Sequence, residues 1–514
     1  MLTRLKVSGF KNLGDIDVSF GPFTCIAGAN GAGKSNLLDA LRFLAALADR
    51  TLLDAALNVR GKGRQAEDVA SLFQRIGSHR TDRLSFDAEM LVPAFGMGDM
   101  AEKVTASATL LRYRLELGLR DDDSALRGPL ELVEETLISI PVSDANDGLP
   151  FPRVSPQWRR SALHGEGTSH AFITTEGMGA ARMVTLHGEP GRQGPARANS
   201  AAPLPRTVLS ATSAGDSPTT FLARTELRSW LLLQLEPSAL REPDEIWGGR
   251  SLGPDGSHLP GALYSLAQHA TLGVSGRRAR HAAEERVYAE VAGRLRELVD
   301  DVSTASVVRD QERGLLTLYV TDRDGARHPA RSLSDGSLRS LALAVLSLGP
   351  APPSWYGYTL LGLEEPENGV SPDRIPALIR LLRGIATDVG LPAGLDNPLR
   401  QVIVTTHSPA VVTQVPDDSL LIADRVVLLI NEGNGQGARF SALPGTWGQH
   451  VPGAAKPAPL GALLTYLNPV PRTGDAEADG SGLSGATPSG SKHERRVVDR
   501  EDLRRLGAAP RRGE

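Results

Sequence analysis

The segment Gly28–Ser35, which reads Gly-Ala-Asn-Gly-Ala-Gly-Lys-Ser, constrains the fold more than any other part of this 514-residue chain. It fills every fixed position of the pattern G-x-x-x-x-G-K-[ST]. The apolar run 23–27 before it predicts a buried strand, and leucines at helical spacing after it predict a helix over 36–47. A glycine-rich turn between a strand and a helix turns backbone N–H groups inward, and the helix N-terminus adds partial positive charge. The segment therefore predicts a phosphate-binding loop in an α/β fold.

Two side chains of this loop have predicted roles. Lys34 is expected to reach the β- and γ-phosphates of a nucleotide, and the Ser35 hydroxyl is expected to hold Mg²⁺. The backbone that would cradle the phosphates belongs to Gly28, Ala29, Asn30, Gly31, Ala32 and Gly33. A chance glycine-rich turn before a helix is the alternative, which the complete pattern and its flanks disfavour.

Composition narrows the class of protein. Hydrophobic residues make up 40% and charged residues 23%, as in soluble globular proteins, and the length predicts two or more structural units. The net charge of -4 gives no overall basic field that would indicate nucleic acid. The single cysteine, Cys25, excludes an intramolecular disulfide framework. Neither a membrane-spanning run nor a signal-peptide core stands out in the sequence, so we expect a cytoplasmic protein with no membrane partner.

Apolar patterns predict further elements along the chain. Strands are expected at 2–7, 16–20, 84–91, 104–119 and 315–320, and helices at 222–233, 283–302 and 338–348. The region 143–216 is rich in Gly, Pro, Ser and Ala and predicts loops with one hairpin over 171–186. The Gly/Ser-rich and then Arg-rich segment 471–514 predicts a disordered tail, for which we favour a solvated state over contact with DNA or a partner.

Polar residues at the ends of apolar segments in the second half suggest the rest of a nucleotide site. Ser334 and Gly336 precede an apolar helix and could bind phosphate there, although such a sequence is also a common helix cap. The apolar strand 359–363 is followed by Glu364 and Glu365, and carboxylates at such a position can hold Mg²⁺ and polarise a water. A second apolar strand, 401–406, ends at His407, which could bond a γ-phosphate or be structural.

In this order, the motifs resemble those of ABC-type ATPase heads of the RecF/SMC-like group, often described as AAA-family ATPases. Gly28–Ser35 resembles the Walker A motif of that group, and the other correspondences are 333–337 with the signature motif, 360–365 with Walker B, 368–372 with the D-loop and His407 with the switch histidine. Segments 5–12 and 252–259 resemble the N-terminal strand and turn of the group and a stretch before its signature helix. The resemblance covers roughly residues 1–120 and 222–430. It implies a P-loop NTPase fold, with a mixed sheet flanked by helices.

The sequence also departs from the pattern of the group. Glu364 stands where the Walker B aspartate is usual, which leaves direct or water-mediated contact with Mg²⁺ open. The Glu-Glu-Pro-Glu run at 364–367 resembles the OLD-type and RecF-like branches more than the transporter ATPases. Gln74 is the candidate for the glutamine that follows the first helix in this group. No toprim-like nuclease module follows His407.

The expected organisation has five parts: the N-terminal half of an ATPase head (1–120), an inserted α+β, loop-rich region (121–221), a lobe leading to the signature motif (222–330), the C-terminal half of the head (331–470) and the disordered tail (471–514). The resemblance implies ATP and Mg²⁺ as ligands. It also implies a homodimer in which each ATP lies between loop 28–35 of one chain and Ser334 and Gly336 of the other. Glu365 would orient the attacking water, Ser35 and Glu364 would hold the metal, and His407 would complete the site.

The resemblance further implies a role on or near DNA, in repair or in defence against foreign DNA. An ATP-switched scaffold that regulates a partner effector from a neighbouring gene is an alternative. The ATPase subunit of a transporter is a third, less favoured one.

Overall fold

The computed structural model describes residues 1–59, 69–120, 129–144, 149, 151–190, 196–349, 357–430, 433–459, 461, 463 and 496–502. The strands are β1 (Leu2–Phe10), β2 (Leu13–Ser19), β3 (Phe23–Ala27), β4 (Arg75–Ile76), β5 (His79–Arg80), β6 (Arg83–Leu91), β7 (Phe95–Met97), β8 (Lys103–Thr105), β9 (Leu110–Leu119), β10 (Leu130–Ser139), β11 (Ala171–Glu176), β12 (Met183–Leu186), β13 (Arg197–Ser200), β14 (Trp230–Leu233), β15 (Asp244–Glu245), β16 (Val302–Asp310), β17 (Leu315–Asp322), β18 (Arg327–Pro329), β19 (Leu360–Glu364), β20 (Gln401–Thr406), β21 (Leu420–Ile430) and β22 (Gly433–Ala442). The helices are α1 (Lys34–Leu47), α2 (Leu52–Leu57), α3 (Pro156–Ala162), α4 (Val208–Ala211), α5 (Pro218–Arg228), α6 (Pro237–Arg241), α7 (Leu259–His269), α8 (Arg277–Arg296), α9 (Asp335–Ser347), α10 (Ile375–Ile385) and α11 (Pro409–Gln414).

A six-stranded sheet, in the order β14-β19-β20-β3-β21-β22, positions the candidate site. Its first five strands run parallel, and only the β21–β22 pair is antiparallel. Strands β3, β19 and β20 are almost wholly buried, which explains their largely apolar sequences. Because parallel strands end at a common edge, the residues after β3, β14, β19 and β20 come together there.

An eight-stranded antiparallel sheet, in the order β13-β12-β11-β10-β9-β6-β1-β2, forms a second layer. One hydrophobic core joins its buried face to α1 and to one face of the six-stranded sheet. Three aromatic rings within this core, those of Phe10, Phe43 and Phe86, have centroids 5.6–6.0 Å apart. Helix α1, and with it the loop that precedes it, is therefore held between two sheets.

The opposite face of the six-stranded sheet belongs to a second core. This core includes residues of α7, α8, α9 and α10, and also Cys25, a free and fully buried thiol. Burial and the nearby Glu367 carboxylate raise the pKa of Cys25. A smaller sheet, β15-β17-β16 with β18 on β17, packs on α7 and α8. The fold is thus mixed α/β, with helices against a mostly parallel sheet, as predicted.

Most of the elements predicted around the site are confirmed, including β1, β3, α1, β17, β19 and β20 and the hairpin β11–β12. The prediction of one helix over 222–233 is wrong, because α5 ends at Arg228 and β14 follows it and pairs with β19. The predicted helix 283–302 is displaced, since α8 ends at Arg296 and Val302 begins β16. The predicted strand 104–119 is split into β8 and β9.

Region 143–216 contains more regular structure than the predicted loops and hairpin. Besides that hairpin it forms α3, α4 and the edge strand β13. The fully buried Glu135 of β10 ties it to the sheet by accepting hydrogen bonds from the N–H groups of Val208 (2.7 Å) and Leu209 (2.9 Å). Strands from the first two predicted parts share one sheet, and the proposed five-part division stays a prediction.

The predicted disordered tail falls mostly outside the described residues, at 471–495 and 503–514. Residues 496–502 are described and pack on the head. Arg496 pairs with Pro416, Val497 is fully buried, and the Arg500 guanidinium donates to the carbonyl of Pro444 (2.6 Å). Among the described residues, no helix combines the length and apolar character needed to cross a membrane.

Candidate functional site

Loop 28–33 connects β3 to α1 and is shaped by its glycines. Gly31 and Gly33 have φ values of 77° and 101°, which favour glycine. A Cβ at Gly33 would lie 2.4 Å from the Cβ of Ala438, and one at Gly28 would lie 2.4 Å from the carbonyl oxygen of Ala423. Both conformation and close neighbours therefore require glycine in this loop.

Lys34 begins α1, and its side chain folds back over the loop. Its ammonium group donates to the carbonyl oxygens of Gly28 (2.6 Å) and Ala29 (3.1 Å). Burial lowers the pKa of Lys34, and the carboxylates of Glu365 and Glu364 oppose this effect. A buried cation held by neutral carbonyls can exchange these contacts for phosphate oxygens.

Ser35 and Glu364 converge from two different elements. The Ser35 hydroxyl at the start of α1 donates to Oε1 of Glu364 at the end of β19. A hydroxyl and a carboxylate are hard oxygen ligands, and Mg²⁺ is commonly held by one or two such groups together with substrate phosphates and waters. The described residues contain no cluster of three or more His, Cys, Asp or Glu side chains that could hold a metal by themselves. This pair thus fits Mg²⁺ bound together with a nucleotide.

Glu365 is held in one orientation by several hydrogen bonds. Its backbone adopts φ 48°, and its N–H donates to the carbonyl of Thr405 (2.9 Å). Its two carboxylate oxygens accept from Asn368 Nδ2 (3.0 Å) and His407 Nδ1 (2.6 Å). Burial raises the pKa of Glu365, but the hydrogen bonds from Asn368 and His407 outweigh burial and leave it below its ordinary value. The carboxylate is therefore ionised and oriented at neutral pH, as a general base requires.

Glu367 is buried and lies behind the pair formed by Glu365 and His407. The Thr406 hydroxyl donates to its Oε1, while its Oε2 has no hydrogen-bond partner among the described residues. Burial raises the pKa of Glu367. In the Glu-Glu-Pro-Glu run the pKa values of two carboxylates are thus shifted in opposite directions, that of Glu365 downward and that of Glu367 upward.

A cavity of about 470 Å³ opens over the loop. It is lined by Lys34, Ser35, Glu364 and Glu365, by Asn368 at the start of the segment that resembles the D-loop, and by three residues that the sequence did not indicate, namely Gln234, Glu236 and Arg339. Gln234 directly follows β14 at the shared carboxyl edge. Gln74, the candidate glutamine from the sequence, does not line this cavity and is buried beside Gly14. The apolar sequence Trp-Leu-Leu-Leu before Gln234 fits a strand as well as the predicted helix, and it was the signal that pointed to a polar residue after a buried strand.

Ser334 and Gly336 lie at the start of α9 and do not line this cavity. The exposed Ser334 caps the helix, since its Oγ accepts from the N–H of Ser337 (3.1 Å). Gly336 packs directly on Gly369, where an added Cβ would lie 1.9 Å from the carbonyl oxygen of Gly369. Arg339, one turn further, donates to the carbonyl oxygens of Leu235 (3.2 Å) and Asn368 (3.2 Å). The start of α9 is thus linked to two cavity-lining segments of the same chain.

A family model described as "AAA domain, putative AbiEii toxin, Type IV TA system" matches residues 23–172 and 196–413, well over half of the chain. The chain belongs to this family. The matched segments of this AAA-domain protein contain the phosphate loop, the start of α9, the Glu-Glu-Pro-Glu run and His407.

Similarity to individual proteins is short or distant. The AAA-domain protein is 54% identical to the OLD nuclease of Thermus scotoductus over 41 residues, which are 8% of each chain. An SMC head bound to the C-terminal winged-helix domain of ScpA superposes with a TM-score of 0.42 at 12% identity, covering 86% of this chain and 98% of that one. The SMC head of Thermotoga maritima superposes with a TM-score of 0.32 at 11% identity, covering 85% and 97%.

Proposed function

We propose that this protein binds and hydrolyses ATP with Mg²⁺, and that two copies enclose two ATP molecules. The observation that carries this proposal is the convergence of Lys34, Ser35, Glu364 and Glu365 on one cavity. These groups supply a cation for phosphates, two oxygen ligands for a metal and a carboxylate for water activation. Their elements are far apart in sequence and meet only because β3 and β19 end at the same edge of the sheet.

Each residue has a separate role in the proposed reaction. Lys34 releases the loop carbonyls and neutralises charge on the β- and γ-phosphates, while Ser35 and Glu364 hold Mg²⁺, which lowers the charge of the phosphates when bound. Glu365 accepts the proton of the attacking water as that water adds to the γ-phosphorus and ADP leaves. His407 keeps Glu365 oriented and completes the site.

The dimer is proposed because part of the expected site is absent from the cavity of the same chain. Ser334 and Gly336 both lie outside that cavity. Ser334 is exposed and therefore accessible to a second copy, whereas Gly336 is buried against Gly369 of the same chain. A twofold, head-to-tail pair would place the start of α9 of each chain over the loop of the other, forming two equal sites. ATP would then hold the dimer together, and hydrolysis would release it.

Two variants test the reaction. Lys34→Ala should abolish ATP binding, measured by equilibrium dialysis. Glu365→Gln keeps the shape of the side chain but lacks the base, so it should bind ATP, lower kcat by roughly 10²–10⁴-fold and accumulate a dimer in analytical ultracentrifugation. Glu236→Gln is the matched control, because Glu236 lines the same cavity without contacting His407. Unchanged turnover in Glu365→Gln, or its loss in Glu236→Gln, would contradict the assignment of the base.

We propose that the ATPase works in the cytoplasm on DNA, in repair or in defence against foreign DNA. Family resemblance supports this role, and the net charge of -4 does not add to it. The role on DNA is supported if the protein binds DNA only with ATP, and if the logarithm of the association constant falls linearly with the logarithm of the salt concentration. Binding that is absent at low salt, with and without ATP, contradicts it.

The second candidate is an ATP-switched scaffold for a partner effector, a nuclease or a toxin. It is favoured by the description of the matched family, which names a toxin of a type IV toxin–antitoxin system. Co-expression with the products of adjacent genes, followed by purification with ATP or ADP, separates the two. A stoichiometric complex that forms in only one nucleotide state supports the scaffold.

A further inference from the structure

The outer side of the phosphate loop is covered by the β21–β22 hairpin. Strand β21 pairs in parallel with β3, with Ile422 opposite Ala27. The backbone continues beyond this pair of residues in both strands, so residues 423–425 run alongside the start of the loop. The carbonyl of Ala423 is so close to Gly28 that a Cβ there would lie 2.4 Å from it. The hairpin thus packs directly on the loop, and none of its described residues lines the cavity.

Arg425 lies two residues after Ala423 on β21, and its guanidinium forms hydrogen bonds with the tip of the loop. Its Nη2 donates to the carbonyl oxygen of Asn30 (2.5 Å), and its Nε donates to the carbonyl oxygen of Gly31 (3.1 Å). Both acceptors are neutral carbonyls and the donor is always charged, so these bonds are charge-assisted. Asn30 and Gly31 line the cavity, whereas Arg425 does not and is exposed.

These contacts constrain the direction of the loop amides. In a planar trans peptide the C=O and N–H groups point in opposite directions. Holding the Asn30 carbonyl toward Arg425 therefore turns the N–H of Gly31 away from Arg425. Gly31 has φ 77° and no side chain, so the loop itself offers little resistance to a peptide flip at this point. A flip would present an oxygen where a phosphate needs a donor.

We propose that Arg425 is a positioning residue that holds loop 28–33 in its phosphate-binding form and thereby sets nucleotide affinity. This inference rests on the proposed function, since it assumes that the loop binds a nucleotide. Because Arg425 acts through the loop backbone and not on the reacting atoms, its loss should weaken binding of ground state and transition state alike. Such a loss raises KM and Kd and leaves kcat nearly unchanged.

The experiment compares Arg425→Ala, Arg425→Lys and a matched control, Arg439→Ala. Arg439 lies on β22 directly opposite Asp424 and pairs with it at 3.6 Å, so its removal deletes an arginine from the same hairpin without touching the loop. Affinity for a fluorescent ADP analogue, KM and kcat for ATP, and the melting temperature with and without ADP are measured for the full chain. Arg425→Ala should raise Kd and KM about tenfold, with kcat within about twofold of wild type. Arg425→Lys should recover part of the affinity, because one ammonium group can still donate to the carbonyls.

The melting temperature separates positioning from general stability. Since Arg425 is exposed, the ADP-free protein should melt as wild type does, and only the rise in melting temperature caused by ADP should shrink. Wild-type affinity in Arg425→Ala, an equal loss in Arg439→Ala, or a fall in kcat at constant KM overturns the inference and leaves the proposed ATPase intact. If the wild-type protein binds neither ADP nor ATP, the proposed function fails and this inference fails with it.

Discussion

Gly336→Ala tests the contact between the start of α9 and the segment that follows Glu365. A Cβ at Gly336 would lie 1.9 Å from the carbonyl oxygen of Gly369 and 2.8 Å from its carbonyl carbon. Both atoms are backbone, and ordinary Cβ contacts begin at 3.4 Å, so the two segments must separate by about 1.5 Å.

The expected cost follows from the neighbour of Gly369. Asn368 accepts from Arg339 through its carbonyl and holds Oε2 of Glu365 at 3.0 Å, so the displacement disrupts both contacts. A misplacement of about 1 Å at a catalytic group can cost about 100-fold in rate, or about 2.7 kcal/mol. We therefore expect kcat for ATP to fall about 100-fold in a steady-state phosphate-release assay. ADP affinity should stay near wild type, because the substitution leaves loop 28–33 untouched.

Gly384→Ala is the matched control, since Gly384 is in α10 and an added Cβ there meets no atom within 4 Å. That variant should keep wild-type kcat and gain about 0.5–1 kcal/mol of stability. Turnover of Gly336→Ala is also measured at rising protein concentration, because a defect confined to the dimer contact recovers at high concentration and a displaced Asn368 does not. A kcat within threefold of wild type, at any concentration, would refute the reasoning.

Three further predictions use other parts of the structure. Gln234 lines the cavity, so Gln234→Ala should lower kcat for ATP at least tenfold. Gln74 lies outside the cavity, so Gln74→Ala should leave the turnover per folded molecule unchanged. Equal effects of the two substitutions on kcat would contradict this prediction. Burial lowers the pKa of Lys34 from its ordinary value of 10.5, so the ammonium group loses its charge as the pH rises toward 10.5. The value of kcat/KM for ATP should fall over the same range, and a kcat/KM that stays constant up to pH 10.5 would contradict this prediction. Arg500→Ala removes the ion pair of Arg500 with the buried Asp417 (3.6 Å) and its hydrogen bond to the carbonyl of Pro444 (2.6 Å), and it should lower the free energy of unfolding in urea by about 2 kcal/mol, with ATP affinity unchanged; a wild-type unfolding midpoint would contradict this prediction.

The sequence predicts the parts of the site that depend on local patterns. Buried parallel strands are largely apolar and carry few ionisable side chains, so Glu364 and His407 mark the point where each strand ends. The glycines of loop 28–33 are required by backbone geometry and are equally visible in the sequence. The catalytic roles of these residues stay predictions.

Other parts depend on contacts that no local pattern contains. The leucines before Gln234 suit a helix or a strand, and pairing of β14 with β19 decides between them. Strand β13, Arg-Ala-Asn-Ser, has almost no apolar character and forms by pairing with β12. Nothing in the sequence distinguishes Arg339 and Arg425 from the other arginines, and in the structure Arg339 is half-buried and Arg425 is exposed. Their importance comes from carbonyls that are distant along the chain, 394 positions away in the contact between Arg425 and Gly31.

Because Cys25 is buried, the chain is suitable for site-specific labelling at a cysteine introduced on its surface. A thiol in the central strand, with no exposure and a raised pKa, yields little thiolate and does not meet reagents in the folded protein. Because it is the only cysteine in the sequence, a surface cysteine introduced by design would be the one reactive position without first removing a native residue. Ser332→Cys, exposed just before α9, would accept a fluorophore or a bifunctional cross-linker. The proposed assembly of two chains with ATP, and their release on hydrolysis, could then be tested directly in an otherwise unchanged sequence.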